Sequence, residues 1–366
     1  MTISLFGLSQ QHAAIADELD RALSELIAES RFIGGETVRQ FEAAFAQYLG
    51  TDEMVSCGNG TDALEIAMEA LGLGEGDEVI VPAMTWISTA EAVVRIGARP
   101  VFADILADEW TIDPGAVREA ITPRTRAVLP VHLYGRPARL NELRALCEEH
   151  GLWLIEDCAQ AHGASFAGRK LGAIGDAAIF SFFPTKNLGG FGDGGAMVFA
   201  NPKHARTARL IANHGQTKRH HHTMVGRNSR LDALNAAVLS IKLPYLDDNT
   251  ARKHGLAERY CEALQDAGCG LPAPARAGEH GWHLFAVTHE ARGALRDHLA
   301  QAGIESAVHY PHSLPEQLAF EPMGVDPGAH PQALRLAREV LSIPLHPSLS
   351  PDDQQAVIDA VGSFTP

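Results

Sequence analysis

DAAIFSFFPTKNLGGFGDGGAMVFA, residues 176–200, decides the reading of the fold. Two apolar runs, DAAIFSFF and AMVFA, read as strands. Ser181, near the end of the first run, and Lys186 flank the turn between them, which carries a cluster of glycines (Gly189, Gly190, Gly192, Gly194, Gly195). The glycines do not form a dinucleotide loop, because that loop follows a strand and opens a helix, whereas this one runs into a strand. A phosphate-binding P-loop is excluded as well, since its lysine follows the glycines and Lys186 precedes them. Two readings of Lys186 stand: a surface lysine in a turn, or a desolvated amine suited to covalent chemistry with a carbonyl.

Working outward, LWLIEDCAQAHGA (residues 152–164) is an apolar strand that ends in Glu156-Asp157. In open α/β sheets ligands sit at the carboxyl ends of strands, so an acid there faces either a ligand or the start of the next segment. His162, just beyond, reads as a packing or hydrogen-bonding residue. SCGNGTDALEIAMEAL (56–71) is a Gly-Asn-Gly turn opening a helix near Thr61. Free N–H groups and the helix dipole at such a start suit a phosphate, though an ordinary capped turn would look similar. From residue 78 strands and helices alternate: EVIVPA, STAEAVVRIG, RPVFADI, DPGAVREAI, RAVLPVHLYG and ARLNELRALCEEHG. This predicts an α/β fold with a mostly parallel sheet covered on both faces. Residues 8–30 read as one amphipathic helix with Ile15, Leu19, Leu23 and Ile27 on its apolar face. A long polar helix at 247–267 and a Pro/Gly-rich stretch precede a strand (HLFAVTH), a helix and a strand (ESAVHYP). These predict a smaller α+β domain, with the large domain at 1–243 and the small one at 244–366.

The chain has 366 residues and a formal net charge of −15, which argues against a nucleic-acid partner. Hydrophobic residues are 46% and charged residues 20%, the composition of a folded protein. The five cysteines are scattered and form no CxxC pair, as expected of reduced thiols in a cytoplasmic protein. No basic-then-apolar leader and no span of membrane length is expected. The run His220-His221-His222 reads as a polar loop, and no metal is expected.

Together, a phosphate-binding helix start, a strand-end acid and a turn lysine with a nearby serine fit pyridoxal 5′-phosphate, with Trp86 supplying a flat ring beside the pyridine. The motifs GNGTDAL, EDCAQAHGA, SFFPTKNLGGFGDGG and GRNSRLDALNAA make the chain similar to the DegT/DnrJ/StrS nucleotide-sugar aminotransferases, which are fold-type I enzymes. The resemblance implies that Lys186 forms the covalent aldimine and that Asp157 partners the pyridine nitrogen. It places Gln160 near the phenolic oxygen, and Gly60, Thr61 and Ser181 around the phosphate. It sends Asn228 into the neighbouring subunit's site, which implies a homodimer with shared sites. A branch of the family with histidine in place of the lysine acts as a dehydratase, and Lys186 argues against that branch.

Within the family, the chain looks most like bacterial enzymes that aminate UDP-2-acetamido-3-keto-glucuronate for O-antigen and lipopolysaccharide sugars. That group implies substrate contacts from Phe32, Thr185, Arg230, His309 and Tyr310, with L-glutamate as amino donor. Phe32 stands where the group has tyrosine. Asn235 stands where the family has glutamine, a change expected to touch packing only. The alternative substrate is a dTDP- or GDP-linked 3- or 4-keto-6-deoxyhexose. An NAD-dependent oxidoreductase and a non-catalytic sugar-binding protein are the competing classes. The first lacks a strand–GxGxxG–helix unit, and the second has no use for a buried turn lysine.

Overall fold

Strands whose residues are buried on both faces read as continuous apolar runs, and the central sheet is built of them. The computed structural model describes residues 2–365. Its strands are β1 (Met54–Cys57), β2 (Glu78–Pro82), β3 (Arg99–Ala103), β4 (Thr125–Val128), β5 (Trp153–Asp157), β6 (Ser165–Phe166) and β7 (Arg169–Lys170). Then follow β8 (Ala177–Ser181), β9 (Gly195–Phe199), β10 (Gln216–Lys218), β11 (His221–His222), β12 (Phe285–Thr288) and β13 (Val340–Ile343). Seven of them form one sheet in the order β1-β9-β8-β5-β4-β2-β3. All neighbours are parallel except β9, which runs antiparallel to both β1 and β8. Side chains alternate across the sheet. Val79 and Val81 therefore join the hydrophobic cluster on one face, and Ile80 joins the cluster on the other.

Local signals set the helix ends. Asp113 caps the helix Pro114–Ala120 by accepting the Gly115 N–H at 2.8 Å. Gly151, at φ 65°, ends the helix Leu140–His150 in the left-handed region that glycine adopts without strain.

Three expectations need correction. Residues 8–30 form two helices, Leu8–Ala13 and Ala16–Glu29. In the second, Leu19 and Leu26 are buried and Ile27 is 61% exposed. Leu26 lies seven residues after Leu19 and so returns to within about 20° of it, while Ile27 is turned about 100° further. The expected strand RAVLPVHLYG stops at Val128, where Pro130 brings no N–H to a ladder, and Leu133–Gly135 is a 3₁₀ turn. ESAVHYP makes one isolated bridge, Ala307 to Ser342, and is no strand. The partner of β12 is instead β13, paired from Phe285–Ile343 to Thr288–Val340. Its VLSI sequence follows the helix Pro331–Glu339 without a break, and it carries no assignment from sequence alone.

A third hydrophobic cluster, with Tyr260, Trp282, Phe285, Leu295, Leu341 and Val357, is drawn from the C-terminal part. The proposed boundary at 243/244 falls in the 3₁₀ turn Leu243–Tyr245 that leads into the helix Leu246–Leu264. The contact between the parts is intimate, because Leu284, Leu314, Phe320 and Leu336 join the cluster on one face of the central sheet. Among the described residues no helix is long and apolar enough to cross a membrane.

Candidate active site

The segments that leave the carboxyl ends of β1, β2, β5 and β8 converge on one cavity of about 410 Å³. This is where open α/β sheets hold ligands. The reversal of β9 matters here: the connection from β8 must turn back over the same edge, and that turn carries Lys186 into the cavity wall.

The pair Glu156-Asp157 shows how strand alternation sorts two acids. Asp157 lines the cavity, whereas Glu156 is fully buried and does not line it. The Glu156 carboxylate accepts the N–H groups of Gly172 (3.1 Å), Ile174 (2.9 Å) and Gly175 (2.6 Å), and it meets His132 Nε2 at 3.2 Å. His132 Nδ1 accepts the Ala138 N–H at 3.0 Å, which leaves Nε2 as the donor to Glu156. His132, Glu156 and Cys158 cluster closely enough to suggest a metal site. Their ring and carboxylate atoms are already engaged in this network, which ties β5 to the loop before β8.

The helix Gly60–Ala70 begins at the cavity. Asn59 is its cap, accepting the Asp62 N–H at 2.8 Å, so the helix starts one residue before Thr61. Gly60 and Thr61 line the cavity, and first-turn N–H groups have no acceptor within their own helix. A methyl at Gly60 would stand 2.8 Å from Ser181 Cβ, so only glycine lets the helix start close against the end of β8. The Thr61 and Ser88 hydroxyls lie 2.8 Å apart on the same wall.

Asp157 accepts the Thr89 hydroxyl (3.1 Å) and the Ala159 N–H (3.1 Å). Burial still raises its pKa above 3.8, against those bonds and the attraction of Lys186. Burial also lowers Lys186 to about 8, and Asp157 opposes that fall. Gln160 accepts the Tyr134 N–H at 2.7 Å and donates to the Tyr310 hydroxyl at 3.0 Å. Trp86, 55% exposed, sits 5.4 Å from the Tyr310 ring on the open side. His309 accepts the Tyr134 hydroxyl at its carbonyl and pairs its Nδ1 with Ser342 Oγ at 2.9 Å. Burial holds the His309 imidazole down at about 4.

Thus Gly60, Thr61, Trp86, Asp157, Gln160, Ser181, Thr185, Lys186, His309 and Tyr310 share one cavity wall. Phe32, Asn228 and Arg230 do not line it, and all three are exposed. They share a neighbouring strip of surface, where the Phe32 carbonyl accepts the Ala233 N–H at 2.9 Å. Asp232 does not pair with Arg230; it caps the helix Ala233–Lys242 through the Asn235 N–H at 2.7 Å. Asn235 itself does more than pack. Its Oδ1 accepts the Phe191 N–H (2.8 Å) and its Nδ2 donates to Asp232 (2.9 Å), so it fastens the glycine-rich loop to a helix start. His162 packs against Phe45, Phe180 and Phe182, and neither ring nitrogen has a hydrogen-bond partner among the described residues. His221 and His222 lie on the exposed β10–β11 hairpin.

Sequence reasoning missed Phe6, Thr89 and His283 in the wall. Thr89 lies in the first turn of the helix Ser88–Arg95, three residues after Trp86, and its hydroxyl has no sequence signature of its own. Phe6 and His283 reach the site only through tertiary packing.

These electrostatics set an expected outcome. In the cofactor-free protein, Lys186 should react with an amine-directed reagent with a midpoint near pH 8, followed by mass spectrometry of its peptide. Asp157→Asn removes the charge that favours the ammonium, so its midpoint should fall below that of wild type. Midpoints near 10.5 in both proteins would contradict the assigned burial.

Residues 13–362 match the DegT/DnrJ/EryC1/StrS aminotransferase family. The dTDP-3-amino-3,4,6-trideoxy-alpha-D-glucose transaminase of Streptomyces venezuelae is 44% identical, over 98% of this chain and 95% of its own. The UDP-2-acetamido-2-deoxy-3-oxo-D-glucuronate aminotransferase of Pseudomonas aeruginosa is 40% identical, over 95% of this chain and 96% of its own. The crystal structure of S. venezuelae DesV in complex with a ketimine intermediate superposes with a TM-score of 0.97, at 42% identity over 100% of both chains. The cofactor of this chain is pyridoxal phosphate. With the fold, the cavity and the whole-length similarity in agreement, the chain belongs to the DegT/DnrJ/EryC1/StrS aminotransferase family.

Proposed function

We propose that this aminotransferase moves the amino group of L-glutamate to C3 of a nucleotide-linked ketosugar. The observation that carries the reading is the pairing of a buried amine, Lys186, with a buried carboxyl, Asp157, across one cavity. The position C3 rests on relatives of both sugar classes, whose names specify a 3-amino or 3-oxo sugar.

The wall fits pyridoxal phosphate. Gly60 and Thr61 offer first-turn N–H groups, and Ser181 offers a hydroxyl held against Gly60. Asp157 has a buried carboxyl whose neighbours do not overcome its desolvation, and a cationic ring nitrogen would complete it. Trp86 lies on the open side to cover the ring, and the Gln160 amide stands beside it. Bound there, the cofactor supplies an electron sink for the carbon that loses its proton. Lys186 Nζ takes that proton from the amino-acid carbon and returns it at the neighbouring carbon. An amine near pKa 8 serves both directions at neutral pH. The second half-reaction reverses these moves on the sugar, so one lysine handles both.

For the acceptor we propose a UDP-linked 3-keto-N-acetylhexosaminuronate. Arg230 supports it: its guanidinium has no ion pair among the described residues, and a planar fork suits a carboxylate. Thr185, His309 and Tyr310 supply polar groups to the sugar from the cavity wall, and Phe32 supplies an apolar face without a hydroxyl. A second reading, a dTDP-linked 3-keto-6-deoxyhexose, is favoured by the higher identity to a dTDP-sugar transaminase, 44% against 40%. We also infer a homodimer with shared sites. Asn228 and Arg230 are exposed and outside their own cavity, which supports their use by the partner.

With L-glutamate as donor, the wild type should turn over the uronate faster than a 6-deoxy analogue. Arg230→Ala should lower kcat/KM for the uronate on the order of 30-fold, the loss expected if the partner's site encloses the Arg230–carboxylate pair on binding. Equal use of the 6-deoxy sugar by the wild type would move the assignment to the second reading. For assembly, mixing inactive Lys186→Ala with inactive Asn228→Ala should restore part of the activity through hybrid dimers. No recovery after demonstrated subunit exchange would mean that each site is built from one chain.

A further inference from the structure

Lys253, in the helix Leu246–Leu264, is 4% exposed. Its ammonium donates to Asn187 Oδ1 at 2.7 Å and to the Gly281 carbonyl at 3.2 Å, both neutral acceptors. It has no carboxylate partner among the described residues. Burial drives its pKa down to about 7. A buried amine without a counter-charge is unfavourable, and an apolar residue of similar volume usually stabilises a fold more. Stability alone therefore does not account for a lysine here.

Its partner is the residue next to Lys186. The Asn187 side chain donates to the His162 carbonyl (3.0 Å) and the Gly281 carbonyl (2.6 Å) while accepting from Lys253. The amide is thus held at both ends. Four segments meet at this node: the Lys186 turn, the loop after Asp157, the helix of Lys253, and the loop that leads to β12. Gly281 closes the node from the far side, donating its N–H to the Gly135 carbonyl at 2.8 Å. A methyl at Gly281 would stand 3.2 Å from the His162 carbonyl, a tight contact that would need a small shift of the loop.

Packing does not hold Lys186 on this side. A second, smaller cavity of about 30 Å³ lies behind it, lined by Lys186, Asn187, Lys253 and His283 among others. On the other side the turn is closed by the Lys186 N–H, which donates to the Phe183 carbonyl at 2.9 Å. The backbone at Lys186 is therefore set by that turn and by the Asn187 amide.

We propose that Lys253 is a positioning residue for amino transfer: through Asn187 it fixes the turn that carries Lys186, and it ties that turn to the C-terminal part of the chain. This rests on the role given to Lys186 above. Misplacing a proton-transfer group by about 1 Å costs on the order of 100-fold in rate. Lys253 does not line the main cavity, and its 2.7 Å bond to Asn187 is its most direct link to the Lys186 turn.

The test uses the holoenzyme and the single-turnover half-reaction with L-glutamate, which does not depend on the sugar assigned. Lys253→Met keeps length and volume and removes the donors. It should lower the rate constant on the order of 10- to 100-fold with the KM for glutamate within about threefold. Amide exchange in residues 183–189 should quicken in the same variant, a change that a residue acting only on overall stability would not confine to this turn. Asn187→Leu should lower the rate similarly, and the double variant should be no slower than the slower single one. If Lys253→Met does not fold, Lys253→Gln, a shorter neutral donor, takes its place with a smaller loss. An unchanged rate and unchanged exchange, or losses that multiply in the double variant, would overturn the proposal. A wild type that fails to react with glutamate would instead defeat the reading of Lys186.

Discussion

The opposition of Asp157 and Lys186 across one cavity is the constraint that the rest of the structure serves. Burial pushes each toward its neutral form, the carboxyl upward and the amine downward, and their mutual attraction works against both shifts. To bring them together, β5 must end beside β8, and the chain after β8 must turn back over the sheet edge. The single reversed strand, β9, achieves this. The glycines follow from it: a methyl at Gly195 would stand 2.3 Å from the Asn59 carbonyl, so the start of β9 and the start of the helix Gly60–Ala70 can share that edge only without a side chain.

Much of this was legible in local sequence. Lys186 sits between two apolar runs, and Asp157 ends another, so their placement at strand ends follows from patterning alone. The Gly-Asn-Gly turn announced a helix start, although the cap proved to be Asn59. Long-range packing was not legible. His283 and Phe6 reach the cavity from distant segments with no local signature, and which apolar stripe of the helix Ala16–Glu29 turns inward, Leu19 with Leu26 and not Ile27, is set by what packs against it. Asn235 looked like a packing substitution, yet its amide links the glycine-rich loop to Asp232 across 40-odd residues of sequence.

The sorting of polar groups divides the chemistry from the scaffold. Glu156, one residue from Asp157, is bound by three backbone N–H groups and His132, and it braces the loop before β8. Arg230 and Asn228 lie on an exposed strip beside the open cavity mouth, where Trp86 and Phe183 are also exposed. Among the described residues neither the Arg230 nor the Asn228 side chain has a hydrogen-bond or ion-pair partner, which is why we propose that a second copy of the chain uses them.

Three lysines have their pKa lowered by burial: Lys186 and Lys242 to about 8, and Lys253 to about 7. Low basicity alone would make each a candidate for carrying the cofactor, and only geometry selects Lys186. Borohydride reduction of the yellow holoenzyme, followed by digestion and mass spectrometry, fixes the cofactor on whichever amine holds it. The account predicts the added mass on the peptide containing Lys186 and on no other. Added mass on the Lys242 or Lys253 peptide would contradict it.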